Sequence, residues 1–172
     1  WVPVGAYDLS SPASEVTLSD LDCPAVSFIV ADGLRAVPEL PTEVIMDEDQ
    51  ANFTGTWSLS YHSEGYDGDY AWQSTGGTGA DYARWIPILW ERDLYDIYVW
   101  YRSGTNRTTV APYTVVTADG PETVLVDQSQ NGSQWVYLGS WILNPESVSI
   151  SVSDDAPSGK VVIADAVRFV RP

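Results

Sequence analysis

The sequence predicts an all-β fold, a sandwich or jelly roll, and three observations carry that expectation. Short runs of β-branched and aromatic residues recur at close intervals, punctuated by turn-forming pairs. No stretch shows the apolar periodicity of an amphipathic helix. Hydrophobic residues make up 44% of the 172 residues, enough to pack a core.

In chain order, the first expected strands are Trp1 to Tyr7, Glu15 to Ser19 and Ser27 to Val37. The Gly-, Tyr-, Asp- and Ser-rich stretch Gly65 to Gly79 reads as the longest irregular segment, and long loops on a β scaffold are where function concentrates. Tyr95 to Tyr101 is a central strand with two distinct faces. Tyr95, Ile97, Val99 and Tyr101 share one face, and Asp96, Tyr98, Trp100 and Arg102 the other. Tyr113 to Thr117, Glu122 to Val126, Trp135 to Trp141, Ser147 to Val152 and Val161 to Val170 follow. Asp119-Gly120 and Asn131-Gly132 read as hairpin-type turns, and Ser158-Gly159 marks a further turn.

An internal repeat sets the expected domain organisation. Trp1-Val2-Pro3-Val4-Gly5 echoes Trp135-Val136-Tyr137-Leu138-Gly139, and Ser14 to Asp20 echoes Ser147 to Asp154 with one residue of slippage. Ala31-Asp32-Gly33-Leu34-Arg35 echoes Ala164-Asp165-Ala166-Val167-Arg168. Residues 1–38 therefore read as the closing part of a preceding module, 39–43 as a linker, and 44–172 as one complete module of a tandem array. The three strands of 1–38 cannot close a sandwich alone, so they expect completion from upstream residues or from another chain by strand donation.

Twenty-four acidic residues against eight basic ones give a formal net charge of −16. That balance excludes nucleic acid and anionic membranes as natural partners. No apolar run of membrane-spanning length occurs, so no membrane insertion is expected. The single Cys23 excludes an intrachain disulfide. Sequons at Asn52, Asn106 and Asn131 fit a secreted or cell-surface protein.

No catalytic residue is assigned, and an enzyme is not expected. His62, the single histidine, lies in Tyr61-His62-Ser63-Glu64-Gly65, where neighbouring side chains of an extended segment face opposite sides. It reads as a surface residue. No nucleophile elbow, phosphate loop or zinc-protease motif is present.

Residues 44–172 resemble the golvesin C-terminal-like domain that also occurs beside xanthan lyases. The resemblance runs through Val44-Ile45-Met46-Asp47, Phe53-Thr54-Gly55-Thr56-Trp57, Ala83-Arg84-Trp85-Ile86-Pro87 and Tyr95 to Tyr101. It continues through Asn106-Arg107, Ala111 to Val115, Gln134 to Gly139 and Val162 to Phe169, with Leu94 as a departure where the family often has Gly. It implies a carbohydrate-binding-module-like β-sandwich, an accessory part of an extracellular protein, with no catalytic residues to carry over.

Two candidate sites follow. Tyr66, Tyr70, Trp72, Tyr82 and Trp100 are candidate carbohydrate-binding aromatics, because flat aromatic faces stack on sugar rings while Asp67, Asp69 and Gln73 supply hydrogen-bonding groups. A small core pinning the loop is the competing reading of the same residues. Trp57, Trp85, Trp135 and Trp141 fall within expected strands and read as core. Asp165 sits inside an apolar strand, where a buried carboxylate must be paired or bind a cation. Asp47, Asp49 and Asp165 are the candidate metal ligands. In the sugar-binding jelly rolls that the domain resembles, the first and last strands are neighbours and a structural calcium can lie between them. Calcium and ion-free capping of backbone amides by Asp165 both stay open, and no other cofactor is called for. The partner is a polysaccharide or glycan, in an adhesive accessory role. In the alternative reading the partners are neighbouring copies of the module, assembled into a surface filament or layer.

Overall fold

The computed structural model describes residues 42–172, together with Thr17. The partial repeat over 1–38 and Cys23 fall outside the described residues. Twelve strands run in order: β1 (Glu43–Met46), β2 (Asn52–Thr54), β3 (Ser58–Tyr61), β4 (Asp69–Ser74), β5 (Tyr82–Trp85) and β6 (Asp93–Val99); then β7 (Ala111–Thr117), β8 (Gly120–Val126), β9 (Val136–Leu143), β10 (Ser149–Ser153), β11 (Val161–Ala164) and β12 (Val167–Val170). The helical structure of the described residues is two single 3₁₀ turns, Glu48–Gln50 and Tyr66–Gly68.

The strands form a four-stranded sheet in the order β1-β12-β6-β9, a five-stranded sheet β2-β5-β10-β7-β8 and a three-stranded sheet β11-β4-β3. All pairings between these strands are antiparallel. The expected β-sandwich is therefore present. Alternation places its core: Tyr95, Ile97, Val99 and Tyr101 are buried together with Val167, Phe169, Val115, Ile150 and Val152. The opposite face of β6 carries Asp96 and Tyr98, with Trp100 just beyond, all only partly buried. Such period-two patterning is what a strand with one covered face requires.

The β7–β8 hairpin turns where Asp119-Gly120 predicts it. Gly120 sits at φ +123°, and the Thr117 hydroxyl donates to the Gly120 carbonyl at 2.7 Å. Other expectations need correction. Asn131-Gly132 is no hairpin, because the flanking β8 and β9 belong to different sheets. It lies in a crossing loop pressed on Tyr101 to Ser103, where a Cβ on Gly132 would lie 2.4 Å from the Ser103 nitrogen. The expected single strand Val161 to Val170 is two strands. Ala164 pairs with Ala71 of β4 and Val167 with Val99 of β6, so the chain changes sheet at Asp165-Ala166. The stretch Gly65 to Gly79 is not irregular throughout, since β4 runs through it and pairs with both β3 and β11. Glu43, placed in the linker by sequence, is the first residue of β1 and pairs with Val170.

Two features bring distant segments to one place. Asp154, buried at the end of β10, gathers the glycine loop: its carbonyl accepts from the amides of Gly76 and Gly77, and its Oδ1 from that of Gly79. Gln128, fully buried, behaves like an added strand on β11. Its Oε1 accepts from the Ile163 amide at 2.8 Å, and its Nε2 donates to the Ile163 carbonyl at 2.8 Å and to the Tyr113 hydroxyl at 3.0 Å.

Candidate functional site

At the junction of the first and last strands, three carboxylates converge. Oxygens of Asp47, Glu48 and Asp165 all lie within 4.8 Å of one another. The local sequence explains the geometry. Asp47 and Gln50 form a capping box around the first 3₁₀ turn: Asp47 Oδ1 accepts from the Glu48 amide at 2.9 Å, and Gln50 Oε1 from the Asp47 amide at 2.9 Å. The turn points Glu48 inward, 3% exposed, and leaves Asp49 in solvent. Asp49 is thus not part of the cluster, and Glu48 takes the place that sequence assigned to it. The Asp-x-x-Gln capping pattern was the available signal, because it makes residues 48–50 a turn rather than an alternating strand.

Asp165 is 1% exposed and sits at the break between β11 and β12. Its Oδ1 accepts from the Tyr66 amide at 3.0 Å. Asp165 Oδ2 and Glu48 Oε2 are buried without a hydrogen-bond partner. Arg168 does not reach this site and pairs instead with Glu43, Nε to Oε2 at 2.8 Å. Ion-free capping therefore accounts for one oxygen of Asp165 and not the other. Burial pushes the Glu48 carboxyl up to about 9, aided by its hydrogen bond with Asp47 and the charge of Asp47. Burial likewise lifts Asp165 to about 8, opposed by the Tyr66 amide and reinforced by the charges of Asp47 and Asp69. Asp47 is also raised, chiefly by burial. Three carboxyl groups that burial keeps from ionising on their own, two of them with an orphaned oxygen, form an oxygen-only donor set suited to a hard divalent cation.

The amide that caps Asp165 belongs to Tyr66, and Tyr66 begins an aromatic stripe. Its ring lies 5.3 Å from that of Trp135 and 5.7 Å from that of Trp100, and Trp100 and Trp135 are 5.5 Å apart. The Arg168 guanidinium stands 5.7 Å from the Trp135 ring and 5.5 Å from that of Tyr98. Tyr98 in turn meets Tyr137 at 5.3 Å. Registers explain the alignment: Ile45, Arg168, Tyr98 and Tyr137 pair in succession across β1, β12, β6 and β9. All five rings are partly accessible, and Tyr137 is 54% exposed. Trp135, read as core from sequence, precedes β9 and joins this surface instead. Trp85 is fully buried, while Trp57 and Trp141 pack partly buried against the core.

The five sequence-picked aromatics do not converge. Tyr66 and Trp100 join the stripe. Tyr70 is buried, and with Trp72 it lines a cleft of about 300 Å³ bounded by Ser60, Asn106, Arg107 and Val161. Tyr82 stands apart on β5 under the Arg84 guanidinium, 4.6 Å from its ring. Asp67 adopts a left-handed φ of +52° within the Tyr66 turn, and the Gln73 amide is taken by Asp81 at 2.7 Å. His62 is exposed as expected, but its segment turns rather than extends. Glu64 Oε2 consequently lies 3.5 Å from His62 Nδ1 and 3.0 Å from Arg102 Nε. Asn52, Asn106 and Asn131 are all exposed.

Antiparallel sheets with an acidic cluster at the junction of the first and last strands and aromatics along one sheet face define a β-sandwich module. Residues 44–171 match the golvesin C-terminal domain, and the chain belongs to that family. It is 31% identical over 140 residues to a xanthan lyase of Bacillus sp. (strain GL1), covering 77% of this chain and 15% of the lyase. It is 30% identical over 138 residues to golvesin of Dictyostelium discoideum, covering 76% of this chain and 24% of golvesin. The solved structure of a Paenibacillus xanthan lyase superposes with a TM-score of 0.70 at 30% identity, over 76% of this chain and 13% of that one. A Podospora anserina GH26-CBM35 β-(1,4)-mannanase shares the fold, with a TM-score of 0.57 at 16% identity over 75% of this chain and 27% of that one. The chain thus spans less than a quarter of the curated relatives it matches. Among the described residues, no helix is long and apolar enough to cross a membrane.

Proposed function

We propose that this module is a non-catalytic glycan-binding part of a secreted or cell-surface tandem-repeat protein, and that the stripe Tyr66–Trp135–Trp100–Tyr98–Tyr137 is its sugar platform. The carrying observation is a set of five partly accessible rings on the sheet face turned away from the core. Aromatic faces beside polar rims suit pyranose rings, whose axial hydrogens form an apolar patch. The kinship with a xanthan lyase supports this reading. The test is isothermal titration of the full chain with neutral β-glucan and β-mannan oligosaccharides, comparing wild type with Trp100→Ala. Binding by the wild type that falls at least tenfold in the variant supports the platform. Absence of binding in both, or equal binding in both, rejects it.

The same reading assigns a structural Ca²⁺ to Asp47, Glu48 and Asp165, because the unpartnered oxygens of Glu48 and Asp165 fit a bound cation and no protein donor. The ion would neutralise the cluster and hold the Tyr66 turn against the last strands. A melting point that falls on chelation and returns with Ca²⁺ supports it, and an unchanged one rejects it.

One observation favours the assembly reading instead. Ile86, Ile88 and Trp90 leave the end of β5 as an alternating exposed row, 53%, 77% and 62% accessible. Light scattering decides: a monomer at high micromolar concentration removes support for assembly through that row.

A further inference from the structure

The cleft beside Trp72 holds a buried cation with no acidic partner among the described residues. Arg107 is 7% exposed, in a chain with 24 acidic residues, yet it pairs with none of the described carboxylates. Its Nε donates to the Arg102 carbonyl at 3.4 Å and its Nη2 to the Tyr70 hydroxyl at 3.2 Å, and its Nη1 donates to Asn106 Oδ1. All three acceptors are neutral. A guanidinium carries five N–H donors, so one on each terminal nitrogen remains for a ligand, and a carboxylate is the acceptor that matches charge and donors together. Lys160, the single lysine, brings a second cation to the Arg107 loop from the segment before β11: its Nζ donates to the Thr105 carbonyl at 2.8 Å, and it too has no acidic partner among the described residues. A buried charge left without a counter-ion is costly unless a ligand supplies one.

The walls suit a sugar. Trp72 is half-buried at the cleft, its indole N–H held by Ser60 Oγ at 3.2 Å, so its ring is fixed in place. Tyr70 closes the floor, 5.7 Å from the Arg107 guanidinium, and Asn106 and Ser60 offer polar atoms. A volume of about 300 Å³ is at the small end of small-ligand sites, roughly 300–1,000 Å³. The net charge of −16 opposes a densely anionic chain. It opposes a single carboxylate much less, because charges beyond the Debye length of ~8 Å are screened.

We propose that this cleft is a second binding site, separate from the stripe, for a terminal carboxylate-bearing sugar. The Arg107 guanidinium takes the carboxylate, and Trp72 takes the ring. The proposal goes beyond the platform reading, since the cleft lies on the three-stranded sheet and uses none of the stripe residues.

The test titrates the full chain with methyl β-glucuronide, its methyl ester and methyl β-glucoside, following tryptophan indole N–H signals by NMR. The acid is expected to bind at least tenfold tighter than the ester or the glucoside and to shift Trp72, while Trp100 and Trp135 stay fixed. Neutral oligosaccharides that move Trp100 and Trp135 report the platform independently, so either site can fail alone. Arg107→Lys keeps the charge and loses the fork, and should weaken the acid at least tenfold; if that variant does not fold, the acid-to-ester ratio in wild type still decides. Equal affinity for acid and ester, a shift confined to the stripe, or no binding overturns the proposal. Glucose 1-phosphate binding more tightly than the glucuronide also overturns it, because the ligand class is then a phosphosugar.

Discussion

Asp165 Oδ1 accepts the backbone amide of Tyr66 at 3.0 Å, across 99 residues of chain, and this one bond joins the carboxylate cluster to the start of the aromatic stripe. The two changes Asp165→Asn and Asp165→Ala separate its charge from its acceptor. The amide oxygen of Asn still receives the Tyr66 N–H, whereas Ala strands that donor. In chelator, Asp165→Ala is expected to lose about 1–3 kcal/mol, the usual cost of an orphaned buried partner, and Asp165→Asn to melt no lower than wild type. Both variants should lose the stabilisation by Ca²⁺. Chemical denaturation with and without the ion checks the pattern, and an Asn variant as weak as Ala contradicts it.

The raised carboxyls fix the sign of a pH effect. Between the ordinary carboxylate range near 4 and the folded values of about 8 and 9, Asp165 and Glu48 keep protons that the unfolded chain has released. The native state then binds more protons, so stability falls as pH rises, by about 1.4 kcal/mol per pH unit per group at most. Ion-free protein should therefore melt lower at pH 8 than at pH 5. Ca²⁺ needs deprotonated ligands, so its stabilisation should be larger at pH 8. Melting curves at both pH values, with chelator and with Ca²⁺, test this. A chelated protein that gains stability toward pH 8 would show the cluster is not buried as described.

On the stripe, Tyr137 is the residue to change first, because it is 54% exposed and rests on Tyr98 and the Ser140 hydroxyl. Tyr137→Ala should leave stability within about 0.5 kcal/mol of wild type, as exposed substitutions do. Neutral glycan affinity should fall several-fold. Unchanged affinity in a titration would shorten the platform to Tyr66, Trp100 and Trp135.

Gly77 carries a packing prediction. A Cβ there would lie 1.7 Å from Asp154 Oδ2, and Asp154 organises the whole glycine loop through the amides of Gly76, Gly77 and Gly79. Gly77→Ala should cost about 1–3 kcal/mol, the range for overpacking. Gly68→Ala is a control for space, since nothing lies within 4 Å of its Cβ, although its φ of +101° carries its own strain. Urea denaturation of the two variants compares a clash with strain alone.

Much of this architecture is legible in the sequence because it rests on local pattern. The alternation through Tyr95 to Tyr101 assigns both faces of β6, and Asp119-Gly120 marks the β7–β8 turn. Asp165 is recognisable as a buried carboxylate because it interrupts an apolar run. What escapes is whatever depends on contacts between distant segments. The break at Asp165-Ala166 follows from which sheet each half joins, and nothing in Val161 to Val170 shows it. Glu48 displaces Asp49 because a capping box turns the chain, so alternation fails there. Trp135 reads as core by its strand neighbours and becomes surface because it stacks on Tyr66 and Trp100, which come from distant segments. The burial of Arg107 has no local signal either, since it depends on Tyr70, 37 residues earlier.

Gln128 makes the same point and supports the sharpest stability prediction. In sequence it sits in the polar run Asp127-Gln128-Ser129-Gln130-Asn131, with every appearance of a solvated loop. In the fold it is fully buried and completes the hydrogen bonding of Ile163, 35 residues away, accepting from its amide and donating to its carbonyl. Gln128→Leu keeps roughly the volume and removes all three side-chain bonds, leaving the Ile163 amide without its acceptor and the Tyr113 hydroxyl with one partner fewer. Each stranded group costs about 1–3 kcal/mol, so a loss of about 2–4 kcal/mol is expected. Gln128→Glu preserves the acceptor for the Ile163 amide but replaces the donor with a carboxylate oxygen facing the Ile163 carbonyl. At neutral pH it should therefore be at least as damaging as Leu. Lowering the pH should relieve Glu selectively, because a protonated carboxyl again supplies one donor. Comparing the three proteins in urea at pH 5 and pH 8 tests the assignment: equal stability of Gln128→Leu and wild type would mean that Ile163 finds other partners, and the strand-like role of Gln128 would be wrong.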